Sequence, residues 1–134
     1  MKIKGLIDYE SGSEVKVSMS TEEKCGQEWE EDVFDAVSYA LFGKTIFHEI
    51  INSKKGPPLI ILTIESKGKE VYIVRKPQYL RVTHFGSKYL TKDICSIKTE
   101  EEEFDSLNPE EYYKMLEPFL DISYDDFAAV ECSE

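Results

Sequence analysis

The side chains of this sequence that could do chemistry fall into three groups: thiols and imidazoles, clustered carboxylates, and Gly-Lys pairs beside apolar runs. Cys25, Cys95 and Cys132 are odd in number and widely spaced, which argues against a disulfide framework and makes the reducing cytoplasm the default location. His48 and His84 have no Cys or acid at ligand spacing. A metal site would need the three distant thiols to converge, and isolated thiols more often act as small buried hydrophobes. Cys25 and His48 could pair as a nucleophile and its base, but nothing marks a third, orienting group. Glu28, Glu30, Glu31 and Asp32 could hold magnesium, although the first turn of a helix accommodates acids with no ligand at all. A phosphate loop must open a helix. Gly43-Lys44 instead closes one, and Gly68-Lys69 sits in a hairpin turn.

The whole chain sets limits on these options. Its 134 residues suit one domain, and 41% apolar with 32% charged residues is the balance of a soluble globular protein. No apolar run approaches the ~20 residues that span a bilayer, and the N-terminus lacks a signal-peptide core, so no membrane partner is expected. The formal net charge of −11 opposes indiscriminate binding to DNA or anionic lipid. That charge is segregated. Residues 1–43 carry four bases and ten acids; residues 44–98 carry eleven bases and four acids, a net of +7; residues 99–134 set Lys114 against thirteen acids, a net of −12. A basic middle between acidic ends reads as a face aimed at an anion or, with the stronger claim, as internal neutralisation.

The elements that would position these groups follow from periodicity. Met1–Tyr9 and Val15–Met19 read as strands around Ser11-Gly12-Ser13, and residues 20–28 read as a loop. Trp29–Phe42 repeats apolar residues at helical spacing, with acids in its first turn, a C-cap at Gly43 and the cation Lys44 beyond. Leu59–Glu65 and Glu70–Arg75 read as a hairpin around Ser66-Lys67-Gly68-Lys69, with Pro57-Pro58 before it. Tyr79–Phe85 and Tyr89–Ile97 read as a second hairpin around Gly86-Ser87-Lys88. Glu100–Glu103 reads as a solvated loop. Asn108-Pro109-Glu110-Glu111 opens a helix expected to reach Leu120, limited by Pro118, and Ser123 with Asp126 caps a short helix over 124–130.

In this order of elements, Val33–Lys44 (VFDAVSYALFGK) resembles the first helix of the SbcC-type ATPases, the double-strand-break-repair relatives of SMC proteins in the ABC class. Val71–Arg75, Tyr79-Leu80-Arg81 and Tyr89-Leu90-Thr91 are similar to the family's Y-x-V-x-R … R … G-x-x-L-T stretch, and Leu120–Phe127 resembles its following L-G-L-x-x-x-x-F segment. The likeness runs in order over nearly the whole chain and implies one domain, residues 1–134, built like an N-terminal ATPase lobe. The fold class expected is α+β: a mixed or antiparallel sheet, one main helix after the second strand, and a C-terminal helix.

The resemblance places the family's G-x-x-x-x-G-K-S loop on Lys24 to Glu31, and the chain departs from it at every defining position. Lys24 and Trp29 stand where the glycines belong, Glu30 where the lysine belongs, and Glu31 where the serine belongs. Trp29 would block the approach of backbone amides to phosphate. Glu30 turns attraction into repulsion, on the order of 4 kcal/mol per charge pair at ~4 Å and an effective dielectric near 20. Leu59–Glu65 lacks the Asp-Glu ending of a second nucleotide motif, and no Gln-loop follows Phe127. The sequence therefore leads us to expect no nucleotide, no cofactor, no metal and no catalysis.

What remains is association. Trp29, Phe34, Tyr39 and Phe42 are more apolar than a lone half-lobe can easily bury, so a protein partner or self-association is expected through them. Arg75, Lys76, Arg81 and Lys88, interleaved with Tyr72, Tyr79 and Tyr89, are the candidate DNA contacts, against the plainer reading that they pair with the acidic end of the chain. Two other classes stay open: an acidic DNA mimic that occupies a nuclease or repair complex, and an ATPase half-site completed by another subunit.

Overall fold

Alternation of apolar and polar residues lays down more of the described chain as strand than as helix. The computed structural model describes residues 1–21, 31–44 and 56–128, and of Glu31 and Asp32 the backbone alone. In chain order the elements are β1 (Lys2–Tyr9), β2 (Glu14–Ser20), α1 (Glu31–Phe42), β3 (Pro58–Ser66), β4 (Lys69–Lys76), β5 (Leu80–Val82), β6 (Lys88–Leu90), β7 (Ile94–Lys98), β8 (Glu103–Phe104), α2 (Pro109–Leu116), a 3₁₀ turn (Glu117–Phe119) and α3 (Tyr124–Ala128). Six strands form one antiparallel sheet in the order β2-β1-β3-β4-β7-β8, and β5 pairs with β6 apart from it. The class is α+β. No helix among the described residues is long and apolar enough to cross a membrane.

The period of two puts Ile3, Ile7, Val17, Ile60, Leu62, Ile64, Val71, Ile73, Cys95 and Ile97 on one face of the sheet, all buried. The helices cover that face. α1 packs across β3 and β4, α2 lies against β7 and α1, and α3 closes on α1. Val37, Ala40 and Leu41 of α1, Tyr112 and Leu116 of α2, and Phe127 of α3 complete the core. On the other face, the row Leu6–Ile61–Val74 runs across β1, β3 and β4 beside the row Lys4–Thr63–Tyr72.

Local signals explain where elements stop. Lys67 and Gly68 both take positive φ, 54° and 74°, the two-residue turn whose twist matches a hairpin. Gly43 ends α1 at φ 72°, and its N–H donates to the Tyr39 carbonyl (2.9 Å). Asn108 Oδ1 accepts from the Glu111 N–H (2.8 Å), and Ser123 Oγ from the Asp126 N–H (3.2 Å), so both expected caps are present.

Four elements differ from expectation. The strand expected over Tyr79–Phe85 is only Leu80–Val82, because the chain already turns from Thr83 to Ser87, closed by the Thr83 N–H donating to the Ser87 carbonyl. Tyr89–Ile97 is two strands, because Asp93 turns the chain: its Oδ1 accepts from the Gln78 N–H (2.9 Å) and from Arg75 Nη1 (3.0 Å). β6 therefore stays with β5, and β7 crosses to β4. The helix expected to reach Leu120 stops at Leu116 in a 3₁₀ turn, since Pro118 has no N–H to continue it. Glu103, expected in a loop, pairs with Lys98 as the start of β8. The expected loop over 22–28, the Trp29 start of α1 and the last two residues of the 124–130 helix lie outside the described residues.

α1 is also not the amphipathic helix its spacing predicts. From Val33 to Leu41 every residue except Tyr39 is buried, Asp35 and Ser38 included. A helix covered all round belongs in an interior rather than on a surface.

Candidate functional site

Few of the residues singled out for chemistry lie among the described residues, and those that do are poorly placed for it. Cys95 is buried beneath the sheet, and burial pushes its thiol up, away from the thiolate that a nucleophile or metal ligand requires. His84 lies in the β5–β6 turn. Among the described residues no group of three or more His, Cys, Asp or Glu is arranged to hold a metal. Gly43-Lys44 is followed by Thr45, which completes the end of a phosphate-loop pattern. Gly43, however, caps the C-terminus of α1, so its amides face the wrong end of the helix dipole for an anion. Lys24, Trp29, Glu30 and the side chain of Glu31 lie outside the described residues, as do Cys25, His48 and Cys132.

Arg75, expected at a DNA surface, is 1% exposed and belongs to the interior. Strand alternation sends it into the helix side of β4, where α1 and α2 meet it with tyrosines. Nη2 donates to Tyr39 Oη (2.9 Å), Nε to Tyr113 Oη (3.2 Å), and Nη1 to Asp93 Oδ1 (3.0 Å) and the Lys76 carbonyl (2.8 Å). Its guanidinium also lies over the Tyr39 ring, 4.8 Å from the centroid. Burial alone would favour losing the proton, but Tyr113, Tyr39 and Asp93 outweigh it and Arg75 is held above its ordinary value. Tyr113 and Tyr112 are pushed up mainly by burial, so both stay neutral donors. Tyr113 Oη donates to the Tyr39 carbonyl (2.6 Å) and Tyr112 Oη to the Ala40 carbonyl (2.7 Å). α2 thus ties to the last turn of α1, supplying a donor to the Ala40 carbonyl and a second donor to the Tyr39 carbonyl beside the Gly43 N–H. The cluster is a structural joint. The signal for it in the sequence is the strand period, which aligns Arg75 with the buried Val71 and Ile73.

The residues expected to meet a partner are partly used inside the molecule as well. Phe34 is 3% exposed and stacks on Phe127, ring centroids 5.1 Å apart, so it is no surface contact. Tyr39 is half-buried under Arg75. Phe42 packs against Tyr124 and Phe127 and also lines a cavity. Trp29 lies outside the described residues.

The apolar surface that remains is elsewhere. Leu80, Val82, Phe85, Tyr89 and Leu90 are all exposed on the β5–β6 arm, Phe85 at 97%. Register pairs Leu80 with Leu90 and Val82 with Lys88 on one side, and Arg81 with Tyr89 on the other. The base of the arm is fixed: Tyr79 is buried, its N–H donates to Thr91 Oγ1 (3.0 Å), the Thr91 N–H donates to the Tyr79 carbonyl (2.8 Å), and Arg81 pairs with Glu10. The tip is fixed too, with the Thr83 N–H donating to the Ser87 carbonyl (2.8 Å), the Gly86 N–H to the Thr83 carbonyl (3.0 Å), and Gly86 at φ 80°. From Lys76 to Lys92 the sequence holds four cations and no acid. Lys76 and Arg81 lie over the Tyr79 ring, whereas Lys88 is exposed and makes no ion pair among the described residues.

The cavity, about 620 Å³, opens between the end of α1 and the turn from α2 to α3. Leu41, Phe42, Leu120 and Ile122 wall it, and Glu117, Asp121 and Asp126 bring carboxylates to its lining. Asp121 Oδ2 pairs with the Met1 ammonium (2.8 Å), and Lys44 lies over the Tyr124 ring (5.4 Å). The arm is convex and the cavity concave, and both are open to solvent.

The chain matches no protein-family model and none of the curated proteins with which it was compared.

Proposed function

We propose that the chain is a non-catalytic interaction module on a scaffold resembling an SbcC-type ATPase lobe, serving DNA repair or recombination through association. The observation that carries the reading is the β5–β6 arm. A two-stranded hairpin is marginal alone in water, yet this one is pinned at its base and tip and holds four large apolar side chains plus Tyr89 in solvent. Rigid, exposed aromatic and aliphatic groups of this kind are what interfaces use as anchors. The non-catalytic half of the reading rests on Lys24, Trp29, Glu30 and Glu31 at the phosphate-loop positions, and the link to repair rests on the resemblance alone.

DNA contact through the basic middle loses support, because Arg75 is buried, Arg81 is paired with Glu10, and a net charge of −11 repels a polyanion. The acidic-mimic reading keeps one observation in its favour. Glu100, Glu101, Glu102 and Glu103 are exposed and make no ion pair among the described residues. Salt separates the two: docking by apolar anchors persists at high ionic strength, and mimicry of phosphates does not. Calorimetric titration of the full chain with Mg-ATP tests the core of the proposal. No binding is expected, and saturable micromolar binding would establish the ATPase half-site instead.

A further inference from the structure

We infer that the β5–β6 arm docks in the cavity between α1 and α3 of a second copy of this chain, with Phe85 seated among Phe42, Leu120 and Ile122 and Lys88 facing Glu117 and Asp126. This rests on the interaction-module reading and names its partner.

Charge is the first argument. The arm lies in the longest stretch without an acid, residues 71–92, and the cavity lining sets Glu117, Asp126 and the Met1-paired Asp121 against the single cation Lys44. Folding does not join the two. Arg75 and Arg81 are neutralised by Asp93 and Glu10, and no ion pair among the described residues links the basic middle to residues 99–128. Two complementary surfaces are therefore left unmatched within one molecule.

Shape is the second. Phe85, 97% exposed on a hydrogen-bonded turn, would be covered by a concave apolar receiver, and a cavity of about 620 Å³ is within the range that encloses compact groups. Arm and cavity are different patches, so the contact is heterologous and closes as a reciprocal pair or a ring, or propagates. The long-range field opposes association, since each copy carries −11. Moderate salt screens that repulsion while sparing an apolar anchor, so the complex should survive salt that dissolves a purely ionic one.

Sedimentation velocity over a wide concentration range tests this with the full chain. Self-association that persists at moderate salt is expected, and Phe85→Ala should weaken it by about 30-fold or more, as loss of a central anchor does. The double variant Glu117→Lys/Asp126→Lys should weaken it comparably. Far-UV circular dichroism establishes that each variant is folded. A mixture of Phe85→Ala with the double variant should recover a complex that neither forms alone, because one supplies the cavity and the other the arm. A monomer at every concentration, association indifferent to Phe85→Ala, or failure of the mixture would overturn the inference. So would an arm that binds single-stranded nucleic acid or another acidic protein while the chain stays monomeric. Those outcomes leave the non-catalytic reading standing; only nucleotide binding removes it.

Discussion

Replacing Arg75 by Met would keep much of its length and remove its charge. The structure fixes what that loses. Four hydrogen bonds go, three of them to side chains contributed by α1, α2 and the Asp93 turn. The groups left behind differ in their ability to recover. Tyr113 Oη still donates to the Tyr39 carbonyl, and Asp93 Oδ1 still accepts from the Gln78 N–H. Asp93 is 24% exposed at its side chain, so water can solvate part of the orphaned carboxylate. Breaking a buried charge pair from one side typically costs 3–5 kcal/mol; the surviving contacts place this site toward the lower end, about 3 kcal/mol. Arg75→Lys should recover little of it, because an ammonium cannot reach Tyr39, Tyr113 and Asp93 as a fork does. Urea denaturation read by tyrosine fluorescence and far-UV circular dichroism measures the loss. A double-mutant cycle with Asp93→Asn isolates the pair, with a coupling of at least about 1 kcal/mol expected. A loss under about 1 kcal/mol for Arg75→Met would refute the claim that this cluster joins sheet and helices.

Gly5→Ala should destabilise by about 2 kcal/mol or more in the same denaturation assay, because a Cβ there would stand 2.0 Å from the Ile61 carbonyl oxygen, and backbone cannot swing aside as a side chain can. Alkaline solution should unfold the chain early. Tyr39, Tyr112 and Tyr113 all hold their protons above the ordinary value of 10 when folded, chiefly through burial, so the unfolded state binds fewer protons above that pH. Stability present below pH 10 is then lost as pH rises, by up to about 1.4 kcal/mol per unit for each tyrosine, and a pH series of urea midpoints that stayed flat to pH 11 would contradict it.

The sequence made the strands, turns and caps legible, since each depends on neighbours along the chain. Val17 and Met19 alternate with Lys16 and Ser18, Lys67-Gly68 supplies two positive φ angles, and Asn108-Pro109 opens a helix. Tertiary assignments were not legible by the same means. Phe34 and Phe42 have the same chemistry, but Phe34 meets Phe127 from a helix 93 positions later, whereas Phe42 also borders open space. Arg75 carries the charge of Arg81 on a similar strand. Strand alternation points it inward with Val71 and Ile73, but the partners that accommodate its charge there, Tyr39, Asp93 and Tyr113, converge from three separate elements, which no local pattern encodes. The Tyr89–Ile97 error has the same origin: a β-rich run was read as one strand because the Asp93 side chain that breaks it acts across the fold on Gln78 and Arg75.

The same convergence changes what the charge segregation means. A net of +7 in residues 44–98 against −12 in residues 99–134 invites the view that folding brings the two together. Among the described residues the sheet sets Lys98 opposite Glu103 but forms no ion pair between the two stretches: Asp93 answers Arg75 from within the basic stretch, Glu10 answers Arg81 from the N-terminal hairpin, and Lys114 pairs with Glu110 one turn away. The cations that were neutralised are those holding the core and the base of the arm, and Lys88 on the arm's open side was left out. Surface charge left unpaired is common and of little consequence singly. Here it coincides with Leu80, Val82 and Leu90 in solvent on one side of a braced hairpin and with Phe85 exposed at its tip, where exposure of so much apolar area is itself unfavourable. A monomer gains nothing from that arrangement, and a partner that covers the apolar side while presenting carboxylates to Lys88 resolves both costs at once.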